Sequence, residues 1–264
     1  MSSTQEARLS ELDGVLDSVQ ATPELAEELF AVVDLLDRQP ALRRALTDPG
    51  AGSAERAGLI HALFTDRLGA TTKEILRAAA DLRWGSASGL AAALERQGVR
   101  AVLSAAQNAG NLDTVEDQLF RFERLVSADA ALRGAISDRS APLAARQELV
   151  SDLLDGRADP ATIELARRAV AARTRSFELT VNSYLTSAAA LRQRALAHVV
   201  VARPLTPEQH DRLAAALARQ LGRDVSLRVV VDPKVIGGVR VTVGDEIIEG
   251  TVAGRLEEAR RQLG

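Results

Sequence analysis

The sequence predicts a mainly α protein with a small α/β domain at its C-terminus: two tandem helical bundles followed by a strand-helix-strand-strand-helix module. Three observations carry that expectation. The chain of 264 residues is rich in Ala, Leu, Arg and Glu and only 3% aromatic, a composition of strong helix formers. It resembles itself without a gap when residues 29–83 are laid on 119–173, an offset of 90 residues. Beyond about residue 195, helical spacing gives way to β-branched alternation.

The self-similarity rests on residues that are not cheap matches in an Ala- and Leu-rich chain. Leu29-Phe30 falls on Leu119-Phe120, and Ala41-Leu42-Arg43 on Ala131-Leu132-Arg133. Asp48, Arg56, Leu59 and Leu63 then meet Asp138, Arg146, Leu149 and Leu153, and Arg67, Thr72, Glu74, Arg77 and Arg83 meet Arg157, Thr162, Glu164, Arg167 and Arg173. A fixed period of this kind is the mark of a duplicated supersecondary unit. The expected organisation is a first bundle over 1–94, a second over 95–194 and a C-terminal domain over 195–264.

Within the first copy, apolar spacing predicts helices near 4–19, 23–38, 41–46, 53–66 and 71–83. The second copy gives 95–109, 112–127, 131–136, 141–153 and 160–173. Phe177, Val181, Tyr184, Ala188 and Leu191 then share one face of a further helix to Gln193. Asp48-Pro49-Gly50 cannot continue a helix, and Asn108, Gly110 and Asn111 offer left-handed exits. Residues 86–107 have the composition of one near-continuous helix joining the copies, with Gly98 as its weak point.

The C-terminal part reads differently. Residues 195–202 are β-branched and compact, as a strand requires. Thr206-Pro207-Glu208-Gln209 starts a helix, with Thr206 as N-cap, Pro207 in the first turn and Gln209 closing a capping box. That helix turns Leu213, Leu217 and Leu221 inward. Val225, Leu227, Val229 and Val231 alternate with outward positions, as do Val239, Val241 and Val243. A last helix carries the apolar stripe Val252, Leu256, Ala259 and Leu263.

Several function classes are disfavoured. Net charge is −3, from 33 basic and 36 acidic residues, so no global field draws nucleic acid or anionic lipid. There is no aromatic residue after Tyr184, which removes a base-stacking platform from the C-terminal sheet. Zero cysteines exclude disulfides and thiolate metal sites. His61, His198 and His210 share no metal-ligand spacing. Ile236-Gly237-Gly238-Val239 is not followed by a phosphate-binding Lys-Ser/Thr or a helix start, so its glycines read as a bulge or a close backbone approach. No apolar run reaches membrane-spanning length, and the N-terminus lacks a signal-peptide pattern. These readings point to a scaffold without catalytic residues, cofactor or metal.

The segment from Val231 to Leu263 carries a more specific string: Asp232-Pro233, Ile236-Gly237-Gly238-Val239, Val243-Gly244-Asp245, Gly250-Thr251-Val252 and Arg255-Leu256. It resembles the C-terminal signature of the delta subunit of bacterial F-type ATP synthase, the counterpart of the mitochondrial oligomycin-sensitivity-conferring protein. Glu249-Gly250-Thr251 stands where that family more often has Asp-Gly-Ser, a swap that keeps the charge, the glycine and the hydroxyl. Residues 95–264 are similar to the whole family plan of a six-helix bundle and a smaller α/β domain, and residues 1–94 look like an extra copy of the bundle.

The resemblance implies a non-catalytic stator part. Its bundle would hold N-terminal helices of the alpha subunits, and its C-terminal domain the ends of the b subunits, with one copy per complex. No nucleic acid is implied. Membrane association would be indirect, peripheral and on the cytoplasmic face of the cell membrane. A partner helix would lie in a groove between two helices. On the first and fifth helices of the second copy the candidates are Val102, Leu103, Ile163, Leu165 and Val170, and on the terminal helix Leu256 and Leu263. The same spacing serves an ordinary bundle core. A helical-repeat scaffold or a nucleic-acid-binding protein unrelated to ATP synthase is the alternative.

Overall fold

The computed structural model describes residues 3–48, 50–64, 67–84, 86–172, 175–193, 195–221, 225–232, 238–243 and 246–249. These divide into two compact units, one formed from Met1–Leu9 and Ala21–Arg192, the other from Ser10–Gln20 and Gln193–Gly264. The expected terminal helix over 252–263, with Leu256 and Leu263, lies outside the described residues, as do Pro233 to Gly237, Gly244-Asp245 and Gly250 to Gly264.

Among the described residues, eleven helices run in order through Gln193: α1 Ser3–Asp17, α2 Pro23–Arg38, α3 Pro40–Thr47, α4 Ser53–Phe64, α5 Ala70–Asp81, α6 Ala87–Ala109, α7 Leu112–Ala128, α8 Ala130–Ser137, α9 Leu143–Leu154, α10 Pro160–Ala171 and α11 Phe177–Gln193. Helices α3, α4 and α5 recur as α8, α9 and α10 at an offset of 90 residues at both ends, and α2 recurs as α7 with one extra residue at its start.

The matched polar residues explain why the copies fold alike. Arg56, buried, donates through Nε to the Ala80 carbonyl at 2.8 Å and through Nη1 to that of Asp48 at 3.3 Å. Its counterpart Arg146 reaches Ile136 O at 3.2 Å and Val170 O at 3.4 Å. Each arginine thus satisfies carbonyls at helix ends that have no partner in their own helix. Asp48 and Asp138 each accept the backbone N–H two residues on, from Gly50 at 2.8 Å and Ser140 at 2.9 Å, a local turn that stops the preceding helix. Glu28 ties α2 to the start of α5 by accepting from Gly69 N at 3.0 Å and from the Thr72 hydroxyl. Gln118 does the same between α7 and α10, accepting from Asp159 N and Thr162 Oγ1, each at 2.8 Å.

Helix α6 is the unbroken joint. At 23 residues it aligns in part with α11, as the sixth helix of the first copy, and in part with α1, as the first helix of the second. It packs on α2, α3 and α5 on one side and on α7 and α10 on the other. Every residue from Gln97 to Leu103 is accordingly buried, the pattern of a helix enclosed all round. Gly98 is no weak point: it lets α2 approach, and a Cβ there would lie within 3.0 Å of three ring carbons of Phe30. Gly110, at φ +78°, ends the helix with its N–H on the carbonyls of Ala106 and Gln107.

In the second unit, β1 Ala195–Val201, α12 Pro207–Leu221, β2 Val225–Val231, β3 Val239–Val243 and β4 Glu246–Glu249 form a sheet in the order β2-β1-β3-β4. β1 pairs in parallel with β2 and antiparallel with β3, and β3 antiparallel with β4. Parallel neighbours need a crossover, and α12 supplies it. Its capping box forms as expected: Gln209 N donates to Thr206 Oγ1 at 3.2 Å, and Thr206 N to Gln209 Oε1 at 2.9 Å. Val199, Val201, Leu217, Leu227 and Val241 make the core, flanked by Leu213, Val225, Val229 and Val239. Val231, the last residue of the β2 stripe, is exposed instead.

Candidate partner-binding surfaces

Val102 and Leu103 on α6, with Leu165 and Val170 on α10, are buried within the chain's own helical unit, while Ile163 is half-buried. Helices α6 and α10 do pack together, so the sequence places these five on neighbouring elements. A side chain already enclosed has little surface left to offer a partner. Leu256 and Leu263 lie outside the described residues.

What the two helices expose lies nearer the N-terminus of α6 and the C-terminus of α10. A cavity of about 450 Å³ opens there, with Ala92, Glu95, Arg96 and Val99 from α6 and Arg168 and Ala171 from α10 in its lining. The start of α1 and parts of α2, α3 and α11 complete its walls. None of the five nominated residues lines it. Spacing alone gave the apolar stripe; the signal for the cavity is a run of small residues, Ala91, Ala92 and Ala93, interrupted by charges at Glu95 and Arg96.

Arg168 organises this region. Its Nε donates to both Glu95 oxygens at 2.8 Å, its Nη1 to Asp34 Oδ1 at 2.7 Å, and its guanidinium carbon stands 4.7 Å from the centroid of the Phe30 ring. One side chain of α10 therefore binds α2 and α6 at once, joining the two copies. Burial alone would favour the neutral guanidine. The Glu95 hydrogen bonds and charge, with those of Asp34, outweigh it and raise the group above its ordinary value. Tyr184 of α11, on the cavity wall, is also raised, first by burial and then by the nearby Glu95 carboxylate. Its hydroxyl stays protonated, so the cavity offers a phenol and a compensated cation to a ligand.

The sequence profile of the ATP synthase delta (OSCP) subunit family matches residues 94–263. The chain belongs to that family. The delta subunit of Cutibacterium acnes is 44% identical over 96% of this chain and 97% of its own length. That of Streptomyces avermitilis is 46% identical over 96% and 93%, and that of Kineococcus radiotolerans 44% over 90% and 86%. A chain of the Toxoplasma gondii mitochondrial ATP synthase hexamer overlaps in structure at 18% identity and a TM-score of 0.27, covering 62% of this chain and 94% of its own, too loosely to bear on the fold.

Membership makes the chain a non-catalytic stator subunit of F-type ATP synthase. The family profile begins inside α6, whereas the Cutibacterium and Streptomyces delta subunits match almost the whole chain. Those alignments leave too few residues unmatched to omit the first bundle copy. The extra bundle is thus shared with these relatives rather than peculiar to this chain.

Proposed function

We propose that this stator subunit links the N-terminal helices of the alpha subunits to the C-terminal ends of the b subunits, and so keeps the catalytic head from turning with the rotor during proton-driven ATP synthesis. The division of labour follows the three segments 1–94, 95–194 and 195–264. The groove between α6 and α10 receives an alpha-subunit helix against Ala92, Glu95 and Val99 of α6 and Ala171 of α10, while Val102, Leu103, Leu165 and Val170 pack inside the bundle and the half-buried Ile163 lies outside the groove lining. The terminal helix, with Leu256 and Leu263, belongs to the segment that grips b. The protein is held at the cytoplasmic face of the cell membrane by these contacts, one copy per complex. No helix among the described residues is long and apolar enough to cross a membrane.

The observation that carries this reading is the coincidence of the family match over 94–263 with an open cavity on the first and fifth helices of the second copy. An amphipathic helix docks by placing apolar anchors in such a groove. The test is a pull-down with tagged full-length chain from detergent-solubilised membranes, with mass spectrometry of what is retained. Alpha, beta and b subunits are expected together. Ala92 is exposed on the groove wall, so Ala92→Trp should fill the groove without unfolding α6 and cut alpha retention by about tenfold, or 1.4 kcal/mol. Leu256→Asp should release b and leave alpha bound. Unchanged b retention with unchanged melting would end the assignment of the terminal helix. Recovery of nucleic acid in place of these subunits would end the whole reading.

A further inference from the structure

At one place the difference between the copies changes what their surfaces expose. In the first copy, Phe30 and Asp34 stand one turn apart on α2 and, with Glu95 of α6, form the seat that takes Arg168 of α10. Phe30 is 4% exposed there. Moving 90 residues along the chain turns Phe30, Asp34 and Glu95 into Phe120, Arg124 and Leu185. The helix pair that bears them, α7 and α11, is again antiparallel. The rings of Phe122 and Phe177 meet edge to face at 5.8 Å near one end, and Glu116 meets Arg192 at 3.4 Å near the other. Yet no described element closes over this second seat, and Phe120 is 52% exposed. Leu185 is half-buried.

The chemistry of the seat has been inverted as well as opened. Asp34 to Arg124 reverses the sign, and Glu95 to Leu185 removes a carboxylate. The other charges on the outer face of α7 are already spent: Asp117 on Arg121 at 3.0 Å, and Asp113 and Glu116 on Arg192. Arg124 makes no ion pair among the described residues. An unspent arginine beside a half-exposed phenylalanine is the composition of an interface anchor rather than of a solvated helix face. A cation would be repelled here. A carboxylate on an apolar background would not.

We propose that the α7–α11 ridge centred on Phe120 is a docking seat for an amphipathic helix of another subunit of the complex, with apolar residues over Phe120 and Leu185 and an Asp or Glu facing Arg124. The internal precedent sets the chemistry rather than the crossing angle, because α11 packs less closely on α7 than α6 does on α2: a helix places one charged side chain beside the ring, as α10 places Arg168 over Phe30. This surface is separate from the α6–α10 groove and does not depend on which helix fills that groove.

The test uses the full chain assembled in the ATP synthase, with p-benzoylphenylalanine in place of Phe120, irradiation, and mass spectrometry of the adduct. The exposed Glu74 position on α5 serves as control. The expected result is one dominant adduct with a single partner subunit, on a peptide that reads as an apolar helix bearing a carboxylate. Arg124→Glu should lower its yield about tenfold, and lysine in place of that carboxylate should restore it, an exchange worth about 1.4 kcal/mol. Three outcomes would overturn the proposal: no adduct above the Glu74 control in a complex of normal subunit content, an adduct with a second copy of this chain, or an adduct indifferent to Arg124→Glu. Failure of the alpha-to-b bridging would appear separately, as loss of those subunits from the purified complex.

Discussion

In the first bundle copy the pair α2–α6 is closed over by α10, and in the second the pair α7–α11 is left open; Asp34, Glu95 and Arg168, which close the first, have Arg124, Leu185 and Ala78 as their aligned counterparts. Positions that match hold each copy's own geometry. Arg56 and Arg146 tie off carbonyls, Asp48 and Asp138 stop a helix, and Thr72 and Thr162 anchor the fifth helix to the second. Two of the positions that diverge lie on the seam. Arg168 has Ala78 as its counterpart, and Glu95 has Leu185. Duplication copied a fold, and later divergence turned one face of it into an internal joint and the other into a surface.

The largest break in that comparison should come from Arg168→Ala. The change leaves Asp34 and Glu95 facing each other across the seam without a cation and uncovers the Phe30 ring. Removing one partner of a buried ion network costs about 3–5 kcal/mol. Here the side chains of Asp34 and Glu95 keep some water contact, so the expected loss is about 2–3 kcal/mol in urea unfolding. A loss below about 0.5 kcal/mol would show that α10 does not hold the copies together. Ala78→Gly, at the matching place in the first copy, should cost only the helix-propensity difference of about 1 kcal/mol.

Next in size is Gly98→Ala. The added methyl must displace the Phe30 ring, an overpacking cost of about 1–3 kcal/mol, against about 1 kcal/mol gained in helix propensity. The sixth-helix counterpart of Gly98 is Ala188, itself fully buried, where α11 packs less closely on α7 than α6 does on α2. A net loss at Gly98 together with a normal tolerance for Ala188→Ser would confirm that close approach is a property of the closed seat alone. A stabilised Gly98→Ala protein would mean that α2 can shift freely.

These two positions also show how far the sequence could be read. The helices, their ends and the capping box at Thr206–Gln209 are local events, set by residues within one or two turns, and they were legible. So was the alternation that turns Leu227 and Val241 inward, although Val231 at its end is exposed. The seam was not. An apolar stripe on α6 says that the helix is buried but not by which copy, and with two bundles meeting on it the whole of Gln97 to Leu103 disappears from the surface. Val102, Leu103, Leu165 and Val170 satisfy the spacing of a partner groove and of a core equally well. The cavity that does open is lined by alanines and paired charges, residue types that carry no periodic signal. Comparing the two copies position by position supplies what periodicity lacks, because Phe30 and Phe120 start from one sequence pattern and end in different surroundings.

A smaller effect sharpens the comparison at the fifth helix. Gly69 at the start of α5 has no side chain to cap with, and Glu28 brings a carboxylate from α2. Asp159 at the start of α10 is itself a carboxylate, accepting from Ala161 N at 2.9 Å, and a neutral Gln118 suffices. Each helix start therefore has one negative charge, as its dipole favours. Glu28→Gln should cost about 0.5–1 kcal/mol by removing that charge, and Gln118→Glu a similar amount by adding a second one beside Asp159. Equal tolerance of both swaps in thermal melts would show that the two starts are not balanced in this way.

The smallest expected effect concerns pH. Burial holds the Glu164 carboxyl above its ordinary range, opposed by Arg167 and Arg168 and reinforced by Glu27 and Asp34. Its folded pKa exceeds its unfolded one, so folding favours the protonated form. That stabilisation is fully present below the unfolded carboxylate range near 4 and is lost as pH rises through the folded pKa. Glu164→Gln mimics the protonated state at every pH. It should raise stability at pH 7 by less than about 0.5 kcal/mol, because the side chain keeps about a third of its exposure, and the advantage should vanish as pH falls toward 4. The counterpart Glu74 is exposed on α5, with no second copy packed beside it to bury it. A Glu164→Gln protein whose stability gain is the same at pH 4 and pH 7 would show that the gain does not come from the buried carboxylate at this joint.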